Sequence, residues 1–180
     1  MIATLTGTIA HKGDDHVVID VNGVGYQAFM NGPSLAALRT GTETRIWTHE
    51  HAREDARDLF GFLSQSELRL FKKLLAISGV GPRTAMTILS LGTVAEIEKR
   101  IELADVAWLS HASGVGKKTA QKIILELKGK LVDVKADDDV VSALVNLGYS
   151  REHALEAARE VSADGSIEDR IRESLKRLGK

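Results

Sequence analysis

Two spacings of apolar residues divide this chain. As far as residue 63 apolar positions largely alternate with polar ones, and from Ser64 onward they recur every three or four residues. In the first part, runs rich in Val, Ile, Thr and aromatics cover residues 2–10, 16–21, 24–30, 43–50 and 58–63. A period of two sends alternate side chains to opposite faces, so each run predicts a strand. Gly13-Asp14-Asp15, Asn22-Gly23 and Asn31-Gly32-Pro33 are the turn signals between them, and Ser34 is placed to cap a short helix over Leu35-Ala36-Ala37-Leu38. Five strands and one helix within residues 1–63 predict a small barrel of the OB type.

The second part predicts helices over 65–77, 82–90, 94–102, 105–111 and 117–131. Ser64-x-x-Glu67 and Thr93-x-x-Glu96 both have the spacing of a capping box. Leu68, Phe71, Leu74 and Leu75 share one helical face, as do Ala120, Ile123, Ile124 and Leu127. The periodicity lapses over the polar, acidic residues 133–139, which read as a linker. Residues 140–180 then predict three short helices. Leu147-Gly148-Tyr149 closes the first, Ser150 caps the second, and Asp164-Gly165-Ser166-x-x-Asp169 turns into the third. Val140, Val141, Leu144, Leu155, Ile167, Ile171 and Leu175 are its expected core. The fold class is therefore multidomain α+β: a barrel over 1–63, an all-α domain over 64–132, a linker over 133–139 and a helical module over 140–180.

Inside the all-α domain one octapeptide occurs nearly twice. Ser78-Gly79-Val80-Gly81-Pro82-Arg83-Thr84-Ala85 is answered 35 residues later by Ser113-Gly114-Val115-Gly116-Lys117-Lys118-Thr119-Ala120. A Gly-x-Gly turn between two helices aims backbone N–H groups outward at the positive end of the second helix, where an oxygen anion can sit. Arg83 and Lys118 occupy the same place after each turn, and Lys117, Lys118 and Lys122 cluster at the start of the last helix of the domain. Such a pair suits the sugar–phosphate backbone of duplex nucleic acid. Gly79, Gly81, Arg83, Gly114, Gly116, Lys117, Lys118 and Lys122 are its candidate residues. Gly23-Val24-Gly25 has the same tripeptide but continues at strand period, so it reads as a turn or bulge.

Charge supports this placement. The net charge of −1 divides into −3 over residues 1–63, +5 over 64–132 and −3 over 133–180. Phosphate binding depends on such local concentrations of Lys and Arg. Other chemistry is excluded. Without cysteine the chain has no disulfide, thiolate zinc site or iron–sulfur cluster. A P-loop needs glycine at His111 and a hydroxyl at Lys118, and Thr84, Thr119 and Ala28 stand where a dinucleotide fingerprint needs its third glycine. His49-x-His51 places two imidazoles on one strand face without an evident third metal ligand. Five of the eight aromatics, Tyr26, Phe29, Trp47, Phe60 and Phe62, lie in the barrel and are expected to fill its core. No run approaches ~18 apolar residues, so no membrane span is expected and a cytoplasmic location is.

Four signals together carry a resemblance: Gly-Val-Gly-Pro at 79–82, Gly-Val-Gly-Lys-Lys-Thr-Ala at 114–120, Arg-Glu-Asp at 53–55 followed by Leu59-Phe60-Gly61-Phe62, and Leu-Gly-Tyr at 147–149. Over essentially its whole length the chain resembles the RuvA family, bacterial proteins that bind Holliday junctions. The resemblance implies a homotetramer built through the barrels, one or two tetramers per junction, holding a four-way DNA junction open and square-planar. It implies a hairpin tip carrying acidic pins, Glu54 and Asp55, with Arg53 contacting DNA beside them. The tail resembles a ubiquitin-associated-type module. It implies docking of the RuvB ATPase through residues 140–180, with Leu147, Gly148 and Tyr149 as partner-binding candidates. It further implies sharing of the junction with the RuvC resolvase, in recombination and DNA repair. No cofactor, metal or catalytic residue is implied. The linker is shorter than in many members, and Ser113 stands where the second hairpin often has proline, which predicts a looser second turn.

Two rivals remain. A helix-hairpin-helix glycosylase would need a catalytic acid near Asp133, and a non-catalytic adaptor would use its tail for recruitment and its barrel only for oligomerisation.

Overall fold

A computed structural model describes residues 1–53, 56–129, 131, 134–159, 161 and 167–179. The chain forms two compact units, Met1–Leu131 and Val132–Lys180.

The first unit opens with strands β1 (Thr4–Lys12), β2 (His16–Val21), β3 (Val24–Phe29), β4 (Glu43–Ala52) and β5 (Arg57–Phe62), closed into a barrel in the order β1-β2-β3-β5-β4. Only the β3–β5 pair is parallel. Asn22 and Gly23, both at positive φ, make the two-residue turn between β2 and β3, with Val21 opposite Val24. That turn type matches the twist of the strands it joins. A register shift between Ile9 and His11 lets β1 run to Lys12, beyond its expected end at Ala10.

Helix α1 (Gly32–Ala37) interrupts the strands. Its cap is Asn31 and not Ser34: Asn31 Oδ1 accepts from the Ser34 amide at 2.8 Å. Pro33, whose missing N–H costs nothing in the first turn, moves the helix start back. Ser34 is instead buried with its hydroxyl donating to Glu67 Oε1 at 3.0 Å.

The expected boundary at residue 63 is not a break in packing. On β5, a Cβ at Gly61 would press on Ile46, Met30 and Ala28, so Gly61 faces the barrel interior. Strand alternation then sends Phe60 and Phe62 outward. Both meet Phe71, at ring separations of 5.4 and 4.8 Å, and join the core of the helical region. Phe29 and Trp47 pack against that same core, and of the five barrel aromatics only Tyr26 packs against the barrel cluster. The aromatics thus fill a core shared by barrel and helices.

The helices are α2 (Gln65–Leu75), α3 (Pro82–Leu89), α4 (Val94–Glu102), α5 (Val106–Leu109) and α6 (Lys117–Leu127). Both capping boxes form, Ser64 with Glu67 and Thr93 with Glu96. The amide and hydroxyl of Thr93 hold the Glu96 carboxyl below its ordinary pKa. Helix α6 stops before its expected end at 131, because Lys128 leaves helical geometry and Gly129 takes a positive φ.

The second unit holds α7 (Val134–Asn146), α8 (Arg151–Arg159) and α9 (Ile167–Leu178). Helix α7 begins at Val134, so residues 134–139, expected as linker, are helical. Neither Gly nor Pro interrupts 134–146, and an acidic run is favoured in the first turns of a helix. Gly148, at φ 98°, ends α7: the amides of Gly148 and Tyr149 donate to the carbonyls of Val145 and Leu144, the Schellman pattern. Ser150 caps α8 through the His153 amide. Val140, Val141, Leu144, Ala154 and Ala158 are the core, with Leu155, Ile171 and Leu175 against it. Ile167 is 48% exposed and does not join them. The expected turn at Asp164-Gly165-Ser166 lies outside the described residues.

Candidate nucleic-acid interface

The two Gly-Val-Gly segments fold alike. In the first, Val80 is buried and its amide donates to the Ile77 carbonyl at 2.9 Å; in the second, buried Val115 donates to Ala112 at 3.0 Å. Gly79 and Gly114 take φ of 92° and 83°, a conformation that strains any other residue. Gly81 and Gly116 then N-cap α3 and α6 with φ,ψ of −87°,171° and −81°,170°. The Ala85 and Ala120 amides close the first turns on the carbonyls of Gly81 and Gly116, both at 2.9 Å. The second turn is therefore no looser than the first, despite Ser113.

Gly81 and Gly116 differ from Gly79 and Gly114 in what demands them. Their extended backbone suits any residue, and a Cβ at either would meet nothing within 4 Å. Internal packing does not ask for glycine there. Without a side chain, neither cap supplies an acceptor to the first amides of its helix. Those amides and the helix dipole face open space, the arrangement that receives an anion.

Arg83, Lys117 and Lys118 are exposed beside these turns. Lys122 is exposed as well, but its Nζ donates to the Ser78 carbonyl of the first hairpin at 2.7 Å. Arg53 lies at the end of β4, where its amide donates to Ala56 and its guanidinium pairs with Asp58. Glu54 and Asp55 lie outside the described residues, and the Arg53–Ala56 bond closes the β4–β5 hairpin on either side of them. Arg53, His51 and Asp58 from the barrel line a cleft of about 550 Å³ with Gly81, Arg83 and Thr84 of the first hairpin. The β4–β5 hairpin and the first Gly-Val-Gly turn thus border a common space.

His49 packs edge-on against Phe71 at 5.5 Å, and no group of three possible metal ligands forms among the described residues. Burial, then Lys72, then His51 lower the His49 pKa below the ordinary imidazole value. No helix among the described residues is long and apolar enough to cross a membrane. Asp133, the acid of the glycosylase reading, lies outside the described residues. In the tail, Leu147 is 60% exposed beside Gly148.

Sequence reasoning missed Thr87. Its Oγ1 lies 2.9 Å from the Ser113 carbonyl in the second hairpin. The 35-residue offset relates Thr87 to Lys122, but the unlike side chains hide the correspondence.

A five-stranded OB-type barrel that shares its core with paired helix-hairpin-helix elements places the chain in a class of nucleic-acid-binding architectures. Family models match along the chain: the RuvA N terminal domain over residues 1–61, a SAM-like helix-hairpin-helix tandem over 71–130 and the RuvA C-terminal domain over 135–179. Relatives described as Holliday junction branch migration complex subunit RuvA include one from Leptothrix cholodnii, 40% identical over the full length of both chains. Others come from Dechloromonas aromatica, 39% identical with both chains fully covered, and Bdellovibrio bacteriovorus, 40% identical over 99% of this chain and 97% of the relative. The chain belongs to the RuvA family.

Proposed function

We propose that this protein binds four-way DNA junctions and serves branch migration as a DNA-binding subunit without catalytic activity of its own. The observation that carries this reading is the matched pair of glycine-capped helix N-termini, each flanked by exposed cations, in a chain whose full-length relatives are named as junction branch-migration subunits. Gly79, Gly81, Arg83, Gly114, Gly116, Lys117, Lys118 and Lys122 form the backbone grip. The hairpin carrying Glu54 and Asp55 works at the crossover, with Arg53 at its base. Barrel, grip and tail act as three functional regions even though the first two share a core. Four copies assemble through their barrels, and residues 140–180 recruit a RuvB-type ATPase through a surface that includes Leu147, Gly148 and Tyr149. The RuvC resolvase shares the junction.

The test is native mass spectrometry with and without a synthetic four-way junction, alongside competition by linear duplex. A tetramer that prefers the junction is the expected result. A monomer indifferent to branched DNA sinks the reading. Deleting residues 135–180 should leave junction affinity intact and abolish stimulation of the motor.

A further inference from the structure

The two hairpins hold each other, and the bonds that do so follow the sequence repeat. Thr87, sixth residue of α3, donates to the Ser113 carbonyl at the mouth of the second hairpin at 2.9 Å. Lys122, sixth residue of α6, donates to the Ser78 carbonyl at the mouth of the first at 2.7 Å. The offset of 35 that relates the hairpins relates Thr87 to Lys122 and Ser78 to Ser113.

Those two carbonyls are special. Each belongs to the peptide plane that contains the amide of the positive-φ glycine, Gly79 or Gly114. In a trans peptide the C=O and N–H point in opposite directions and cannot turn independently. Pinning a serine carbonyl inward against the opposite helix therefore aims the glycine amide outward. Thr87 does not need Ser113 for its own sake. The Thr84 carbonyl of its own helix, also at 2.9 Å, competes for its one proton.

We infer that Thr87 and Lys122 are positioning residues, cross-hairpin donors that orient the Gly114 and Gly79 amides and fix the span between the two grips. Lys122 has three N–H donors, so holding Ser78 leaves it others for a phosphate. Thr87 has no charge and isolates the positioning effect. The inference rests on the reading of the hairpins as phosphate grips.

The experiment compares full-length wild type, Thr87→Val and Thr87→Ser on a synthetic four-way junction across a salt series, with the competent fraction fixed by stoichiometric titration. Valine keeps the shape and removes the donor; serine restores it. Thr87→Val should bind roughly three- to tenfold more weakly at every salt concentration, as expected for one net hydrogen bond. Its dependence of log K on log salt should match wild type, and Thr87→Ser should recover the affinity. In the free protein the Gly114 amide resonance should move in Thr87→Val while that of Gly79 stays. Wild-type affinity in Thr87→Val overturns the inference, and so does a folded Thr87→Ser as weak as the valine variant. Weaker binding with an unmoved Gly114 amide resonance would make Thr87 a direct DNA contact, which an uncharged hydroxyl can be without changing the salt slope, and also overturn it. If wild type shows no salt-dependent binding, the hairpin reading itself fails, a result distinct from the others.

Discussion

The guanidinium of Arg53 is paired with Asp58, at the two ends of the loop that carries Glu54 and Asp55. A cation expected to touch DNA thus sits on a carboxylate at the base of the hairpin. On the proposed reading it should exchange that partner for a phosphate where DNA comes close.

The acidic tip is expected to act by repulsion. Like charges about 4 Å apart cost on the order of 4 kcal/mol at an effective dielectric of 20, and the effect fades beyond ~8 Å at physiological salt. It should therefore disfavour backbone at the crossover and leave the arms alone. The double change Glu54→Gln with Asp55→Asn should strengthen binding and reduce the preference for four-way over linear DNA. Competition between labelled junction and unlabelled duplex measures this, and an unchanged preference counts against the role.

The glycines separate stability from binding. Gly79→Ala forces a side chain to φ 92° and should destabilise the fold by about 1–2 kcal/mol. Gly81→Ser and Gly116→Ser meet open space. Serine is a better N-cap, so these variants should be at least as stable as wild type. Its hydroxyl would take the amides otherwise open to an anion, and DNA affinity should fall. Urea midpoints and junction binding on the same samples check both halves.

Glu67 joins α1 to the start of α2. Its Oε2 accepts from the amides of Leu63 and Ser64 at 3.0 Å each, and its Oε1 from Ser34 Oγ at 3.0 Å and Asn31 Nδ2 at 3.3 Å. Glu67→Ala should cost about 1.5–3 kcal/mol, the range for hydrogen bonds to a charged group. Thr93→Ala, which removes an exposed cap, should cost about 1 kcal/mol. A smaller loss at Glu67 than at Thr93 in urea unfolding would contradict the linking role.

His49 predicts a pH dependence. Its pKa in the fold is lowered, chiefly by burial, so the unfolded chain binds the proton more readily. Its contribution to stability is therefore fully present above the ordinary imidazole value near 6.5 and declines as pH falls below it. His49→Phe should flatten urea midpoints measured between pH 7.5 and 5.5 relative to wild type. An equally steep profile in that variant would assign the dependence to other groups.

Much of this architecture was legible because it is local. Asn22-Gly23 specifies its turn, Ser64 and Thr93 their capping boxes, and the repeated Gly-Val-Gly its hairpins within a few residues of sequence. What stayed hidden depends on distant partners. Gly61 decides which way Phe60 and Phe62 point only once Ile46 and Met30 occupy the barrel, so aromatics assigned to one core belong to another. Ser34 looks like a cap until Glu67, 33 residues on, claims its hydroxyl. The two turns and the exposed cations beside them were readable from the glycines and the charge cluster. The bonds from Thr87 and Lys122 were not, because they arise from how α3 and α6 meet.

The bare caps at Gly81 and Gly116 bear on motion as well as attachment. Main-chain amides facing a uniform chain of phosphates give equal well depth at each step along the helix. If the caps hold phosphates as proposed, such a clamp should travel over a nearly level energy surface, slowed by friction more than by favoured sites.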